Sequence, residues 1–316
     1  MRRASVAQLF EANRTALQLR HVAGRLDSWL SVSDNRVWPA DMVGHLNLIH
    51  PNRLQIMGEA EFAWARQQTR EHFEQHFLGI LASSPPGVIV ADDCDVPDII
   101  RRTCDEAGVP VMASPLESAR VIEVLRVYLS RKMAERVSLH GVFMDVLGVG
   151  VLITGDSGAG KSELALELIT RGHGLVADDV VEIARVASGV LEGRCPEMLK
   201  DFLEVRGLGI LNIRTIFGET ACRRKMKLKL IAHLQRRTGG HDEPLRLPLD
   251  EDDAQDVLGV PVRRVVLPVA AGRNLAVLLE AAVRNTILQL RGIDSTQEFV
   301  VRQRGILDQD DPYYDR

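Results

Sequence analysis

The stretch Gly155-Asp156-Ser157-Gly158-Ala159-Gly160-Lys161-Ser162 constrains this chain more than any other. It meets the pattern G-x-x-x-x-G-K-[ST] at every fixed position. Glycines in such a loop tolerate positive φ and let backbone N–H groups close on phosphate oxygens. Lys161 is then placed to reach the β- and γ-phosphates, and the Ser162 hydroxyl to ligate Mg²⁺. The flanks read as strand, loop and helix. Val149-Gly150-Val151-Leu152-Ile153-Thr154 is apolar and β-branched, as a buried parallel strand is. Residues 162–169 are strong helix formers, and Gly172 follows as a C-cap. A phosphate at that helix start meets the favourable end of the dipole. Residues 155–162 therefore read as a nucleotide site.

With 316 residues, two domains are expected. The net charge of −4 offers nothing that would recruit nucleic acid or an anionic membrane. An aromatic content of 4% argues against a base-stacking platform. No apolar run approaches the roughly 18 residues of a membrane span, and the first residues lack the apolar core of a signal peptide. Cys94, Cys104, Cys195 and Cys222 form no C-x-x-C pair, and read as ordinary thiols of a reducing cytoplasm.

Residues 1–130 read as an accessory α/β domain. Helices are expected over 5–20, 59–77, 97–107 and 116–134, and strands near 46–49, 53–58, 88–91 and 109–113. The alternation implies a layered, partly parallel sheet. His72 and His76 share a helix face and could form a metal pair, though a solvated face accounts for them with less. Asp92, Asp93 and Asp95 follow a strand, where sites lie in open α/β sheets, but no phosphate loop adjoins them.

Residues 131–316 carry the chemistry. His140-Gly141 precedes an alternating strand, 142–146, with a hairpin expected at Leu147-Gly148. Leu175-Val176-Ala177 reads as a strand ending in Asp178-Asp179 and continuing through 180–183. Carboxylates at a strand end near a phosphate loop suit an Mg²⁺-holding role or a base for a hydroxyl nucleophile. No Asn-Lys-x-Asp motif is present, which argues against a GTPase switch. Glu204 and Arg206 share a strand face by period two, beside glycines, and suggest a metal-ligating carboxylate and a phosphate-facing guanidinium. Arg223, Arg224, Lys225, Lys227 and Lys229 read as a solvated basic strip, and 239–256 as an acidic loop. A strand at 265–269 leads to a helix over 275–290 with Asn274 as its N-cap. Residues after Asp294 read as a mobile acidic tail.

Taken together, His140-Gly141, the loop 155–162, Arg171-Gly172-His173, Asp178-Asp179, the run Leu203-Glu204-Val205-Arg206-Gly207-Leu208-Gly209 and Gly272-Arg273-Asn274-Leu275 resemble bacterial HPr kinase/phosphorylase. The motifs occur in the family's order from about 138 to 290. The resemblance implies an N-terminal accessory α/β domain and a C-terminal P-loop kinase domain similar to phosphoenolpyruvate carboxykinase. It implies a cytoplasmic homohexamer that phosphorylates a serine of the phosphocarrier HPr with ATP and Mg²⁺, and removes that phosphate by phosphorolysis.

Carried over by motif, 155–162 binds ATP, and Ser162 and Glu204 hold Mg²⁺. Asp179 exchanges the serine proton, with Asp178 beside it. His140 and Lys161 act on the transferring phosphoryl, and Arg246 best matches the family's later catalytic arginine. Arg206 falls in the family's signature run, and Arg273 precedes the helix expected to meet the carrier. Family members often have Arg-Pro where this chain has Ala270-Ala271, in a loop tied to dephosphorylation. Two other readings stand beside this one: a small-molecule P-loop or carboxykinase-like enzyme, and a nucleotide-sensing module without transfer chemistry.

Overall fold

The computed structural model describes residues 2–32, 37–47, 49–236, 254–270 and 272–309. The chain divides into two compact units, Met1–Glu135 and Arg136–Arg316.

In the first unit the chain runs β1 (Arg2–Ser5), α1 (Val6–Asn13), β2 (Arg20–Ala23), β3 (Trp29–Val32), β4 (Val43–His45) and β5 (Leu54–Met57). It continues with α2 (Glu59–Arg66), α3 (Arg70–Leu81), β6 (Val88–Val90), α4 (Asp98–Glu106), β7 (Val111–Ala113) and α5 (Ser118–Lys132). Five strands form one sheet in the order β2-β7-β6-β5-β4, parallel from β4 to β7 and antiparallel at β2. The central strands β5, β6 and β7 are buried along their whole length, because helices cover both faces. Ile56, Ile89 and Met112 pack with Leu9 of α1 and Leu125 of α5. Met57, Val88 and Val90, on the opposite face, pack with Phe62, Phe77 and Ile100 of α2, α3 and α4.

Three local expectations differ. The helix expected over 5–20 ends at Asn13, and the chain turns back at Gln18 in the left-handed region (φ 50°). The strand expected near 46–49 lies at Val43–His45, parallel to β5. The helix expected over 59–77 is two helices, because the Thr69 hydroxyl accepts from His72 N (3.2 Å) and starts α3. His76 packs its ring against Trp64, with centroids 4.9 Å apart. Asp92 joins two helix starts, accepting from Glu59 N (2.8 Å) and Ser118 N (2.6 Å).

In the second unit the order is β8 (Glu135–His140), β9 (Val142–Val146), β10 (Val149–Gly155), α6 (Lys161–Thr170), β11 (Gly174–Ala177), β12 (Val180–Ala187) and β13 (Val190–Arg194). There follow β14 (Phe202–Val205), β15 (Gly209–Asn212), α7 (Ile213–Phe217), β16 (Lys225–Arg236), β17 (Ala254–Val257), β18 (Val260–Val269), α8 (Leu275–Leu290) and α9 (Ser295–Gln309). Among the described residues the main sheet runs β11-β9-β10-β16-β13-β12-β8, with β18 also on β16 and β17 on β18. The sheet is mixed. β10 lies between antiparallel β9 and parallel β16, so its second neighbour comes from its own hairpin. That hairpin turns through Leu147 (φ 55°) and Gly148 (φ 81°), the paired positive φ of a tight β-turn.

Helices α6 and α8 cover one face of this sheet. Leu164 and Leu168 of α6 meet Leu279 and Val283 of α8 over Val151, Ile153 and Leu230. Each such side chain contributes roughly 1.5–3 kcal/mol through burial. A buried polar lock adds to this contact. Arg171, after α6, donates twice to Glu280 of α8 (2.8 Å each), and His173 meets the same carboxylate at 2.9 Å. The bidentate guanidinium is the main reason the Glu280 carboxyl is held down at about 2, with His173 next.

Two expectations are corrected here. Residues 295–309 form a helix rather than a tail, begun by Asp294, whose carboxylate accepts from Thr296 N (2.8 Å) and Gln297 N (3.2 Å). Residues 175–183 are two strands rather than one, because the chain kinks between β11 and β12 at Asp179 (φ 64°).

Candidate active site

β10 delivers the chain to the phosphate loop and α6 takes it away, so the loop sits at the carboxyl edge of a strand and the amino end of a helix. Gly155 is needed at the exit: φ is 141°, and a Cβ there would come within 2.6 Å of the Leu234 carbonyl on β16. Gly160 enters the helix at φ 92°. The loop is tied from within. Lys161 Nζ donates to the carbonyls of Gly155 (2.9 Å) and Asp156 (3.1 Å), and Ala159 N donates to Asp156 O (3.1 Å).

The acidic turn between β11 and β12 lies beside it. Asp178 is buried, and its Oδ2 accepts from Glu204 N at 2.8 Å, which ties β14 to the turn. Burial pushes the Asp178 carboxyl above its ordinary value, against the opposing pull of the Glu204 and Asp179 N–H groups. Asp179 points out to solvent instead. Its Oδ1 stands 3.1 Å from His140 Nδ1, with both side chains about two-thirds exposed (66% and 64%). The two groups form an ion pair when the imidazole carries its second proton.

One cavity collects these groups. Ser157, Gly158, Gly160, Lys161 and Ser162 line one side, and His140, Asp178, Asp179, Glu204 and Arg206 the others. Gly155, Asp156 and Ala159 belong to the loop without lining the cavity, and Ala159 is buried beneath it. Arg206 lies just past the end of β14, not on the strand face shared with Glu204. Arg273 precedes α8 and is not among the cavity walls. Arg246 lies outside the described residues.

The Ser162 hydroxyl and the Glu204 carboxylate are hard oxygen donors suited to a small divalent cation. Among the described residues no group of three or more His, Cys, Asp and Glu forms a metal cage.

Sequence reading did not single out three neighbours of the site. Arg236, the last residue of β16, donates through Nη2 to the Gly158 carbonyl at the loop's apex. His233 on β16 meets the Thr154 hydroxyl of β10 through Nδ1 at 3.0 Å, two strands side by side just before the loop. Glu280 ties α8 to the end of α6. Each depends on pairing between segments far apart in sequence, which no local pattern announces.

Known proteins resemble the chain throughout. Residues 4–129 match the family model described as HPr Serine kinase N terminus, and 131–303 that of the HPr Serine kinase C-terminal domain. A protein of Azoarcus sp. (strain BH72) named HPr kinase/phosphorylase is 66% identical over 97% of this chain and 98% of its own. Its namesake in Aromatoleum aromaticum is 64% identical over 98% of each. A solved structure titled Hpr(Ser) kinase/phosphatase, from Coxiella burnetii, is 34% identical and covers 52% of this chain and 98% of its own, with a TM-score of 0.43. With the two family models matching residues 4–129 and 131–303, the chain belongs to the HPr serine kinase family.

Proposed function

We propose that the chain transfers the γ-phosphoryl of ATP to a serine of the carrier protein HPr, and removes it again by phosphorolysis in the same site. The observation that carries the reading is the His140–Asp179 pair standing on the same cavity as the phosphate loop (3.1 Å between the two side chains). Relatives 66% and 64% identical bear the name HPr kinase/phosphorylase, which supports the choice of carrier.

In this reading residues 155–162 cradle the ATP phosphates, and Lys161 leaves its loop carbonyls for the β- and γ-phosphates. Ser162 and Glu204 would hold Mg²⁺, which would supply positive charge to offset that of the phosphates. Asp179 takes the serine proton as Oγ bonds to the γ-phosphorus and the bond to the β-γ bridging oxygen breaks, releasing ADP. In reverse, an oxygen of inorganic phosphate attacks the phosphoserine phosphorus. The bond to serine Oγ breaks, pyrophosphate forms, and protonated Asp179 returns its proton to the serine oxygen. His140, close beside Asp179, steers the carboxylate and presents its ring to the transferring group. Asp178 acts one step removed by holding Glu204 in place. Arg206 faces phosphate, Arg246 supplies a further cation, and Arg273 contributes to carrier docking. The catalytic domain shares the phosphoenolpyruvate carboxykinase type of nucleotide fold, and the enzyme works as a cytoplasmic homohexamer.

The test is incubation of the full chain with γ-labelled ATP, Mg²⁺ and HPr. Labelled phosphoserine on HPr, converted to labelled pyrophosphate by added phosphate, supports the reading. Label on a small molecule but never on HPr refutes it.

A further inference from the structure

We infer that Arg236 is a positioning residue of the phosphate loop: it fixes the apex at Gly158 and, with Arg206, holds positive charge there before nucleotide arrives. The inference rests on the reading of 155–162 as an ATP-phosphate site.

Strand pairing brings Arg236 to the loop. β10 and β16 run parallel with Gly155 opposite Leu234, so β16 continues past the end of β10 and carries its final residue alongside the turn. There Arg236 Nη2 donates to the Gly158 carbonyl. The N–H on the other side of the same peptide, that of Ala159, donates to Asp156 O at 3.1 Å. A peptide unit is planar, so a bond at each end fixes the orientation of the whole plane. The apex is thereby held in shape from outside the loop, whereas Lys161 ties its base from within.

Charge points the same way. A Cβ built on Gly158 would meet Arg206 Nη1 at 3.2 Å and Arg236 Nη2 at 3.3 Å, so two guanidiniums flank one point of the apex. Among the described residues neither forms an ion pair with a carboxylate. Cations brought this close repel each other, a cost that an anion beside them removes. A guanidinium has five donor hydrogens and keeps its charge at any working pH. Arg236 can therefore hold the Gly158 carbonyl and still offer N–H groups to phosphate oxygens.

The experiment measures dissociation constants of inorganic pyrophosphate and of ADP for the full chain, as wild type, Arg236→Gln and Arg236→Lys. The melting temperature of each free protein is recorded beside them. The expected result is wild-type binding of both ligands and a loss of about 10-fold or more for pyrophosphate in Arg236→Gln. Arg236→Lys should recover part of that loss, because charge is kept and the fork is not, and the three melting temperatures should agree within a few degrees. If Arg236→Gln is destabilised, Arg236→Lys alone decides: weaker pyrophosphate binding at an unchanged melting temperature supports the inference, and wild-type binding overturns it. Wild-type pyrophosphate affinity in a stable Arg236→Gln overturns it while leaving the nucleotide site intact. Absence of pyrophosphate and ADP binding to the wild type itself removes the nucleotide reading, and this inference with it.

Discussion

His140 Nδ1 and Asp179 Oδ1 stand 3.1 Å apart because two chain links cross the sheet side by side. One link leads from β8 to β9 through Gly141, the other from β11 to β12 through Asp178 and Asp179. β8 neighbours β12 and β9 neighbours β11, so the links are held together, and Gly141 N donates to Asp179 O at 3.2 Å. Gly141 has φ 152°, and a Cβ there would come within 2.5 Å of the Ile153 carbonyl. The backbone thus sets the histidine against the carboxylate before any ligand is considered.

Removing the imidazole should therefore disturb transfer more than binding. His140→Ala is expected to lower the turnover of carrier phosphorylation by about 10-fold or more, with ATP affinity within about twofold of wild type. Steady-state kinetics with a separate nucleotide titration checks this, and an equal loss in both would recast His140 as part of the nucleotide pocket.

Lys161→Ala should abolish phosphorylation and phosphorolysis alike. On the proposed reading both directions use one phosphate cradle, where positioning and electrostatics supply nearly all the catalysis. Retained wild-type phosphorolysis in this variant would require a second site.

Glu280 gives a prediction about pH. Its carboxyl is held at about 2, chiefly by Arg171 and then by His173, below the ordinary 4.5 of an unfolded chain. A depressed carboxyl stabilises the fold fully above the unfolded value, and that contribution is lost as pH falls from about 4.5 towards 2. Glu280→Gln should lower the melting temperature at pH 7 by roughly 3–8 °C and shrink the difference from wild type below pH 4. Thermal melts across that range check it, and a difference independent of pH would show that the ion pair contributes nothing.

How much of this was legible in sequence depended on the range of the interactions. The phosphate loop, its strand, its helix and the Leu147-Gly148 turn are local, and their residue types are demanded by backbone conformations close at hand. Asp178 and Asp179 were legible as an acidic strand end, yet their division of labour was not. One is buried and the other exposed because Asp179 takes positive φ (64°), which an aspartate can adopt but does not announce. Arg236 was illegible because its place follows from Gly155 pairing with Leu234, a register no local pattern encodes. Helix α9 was missed for a different reason: its described side chains are mostly exposed, so no continuous apolar stripe marks it.

Arg273→Ala should raise the KM for the carrier more than it weakens ATP binding. Arg273 is exposed just before the Asn274 cap of α8, where the helix dipole disfavours a cation, so stability gives it little reason to be there. An unchanged carrier KM with a lowered melting temperature would assign it a purely structural task.

Asp179→Asn tests the shared proton-transfer site most directly. Asparagine is among the few residues at ease in the left-handed region, so the turn at φ 64° should survive, while the amide cannot accept the serine proton. The measurement is kcat in both directions on HPr and phosphoserine-HPr, with the nucleotide dissociation constant of the same protein. The expected result is a loss of about 10²-fold or more in each direction with nucleotide affinity nearly unchanged. Turnover close to wild type in either direction, or a loss confined to nucleotide affinity, would contradict the assignment of Asp179 as the base.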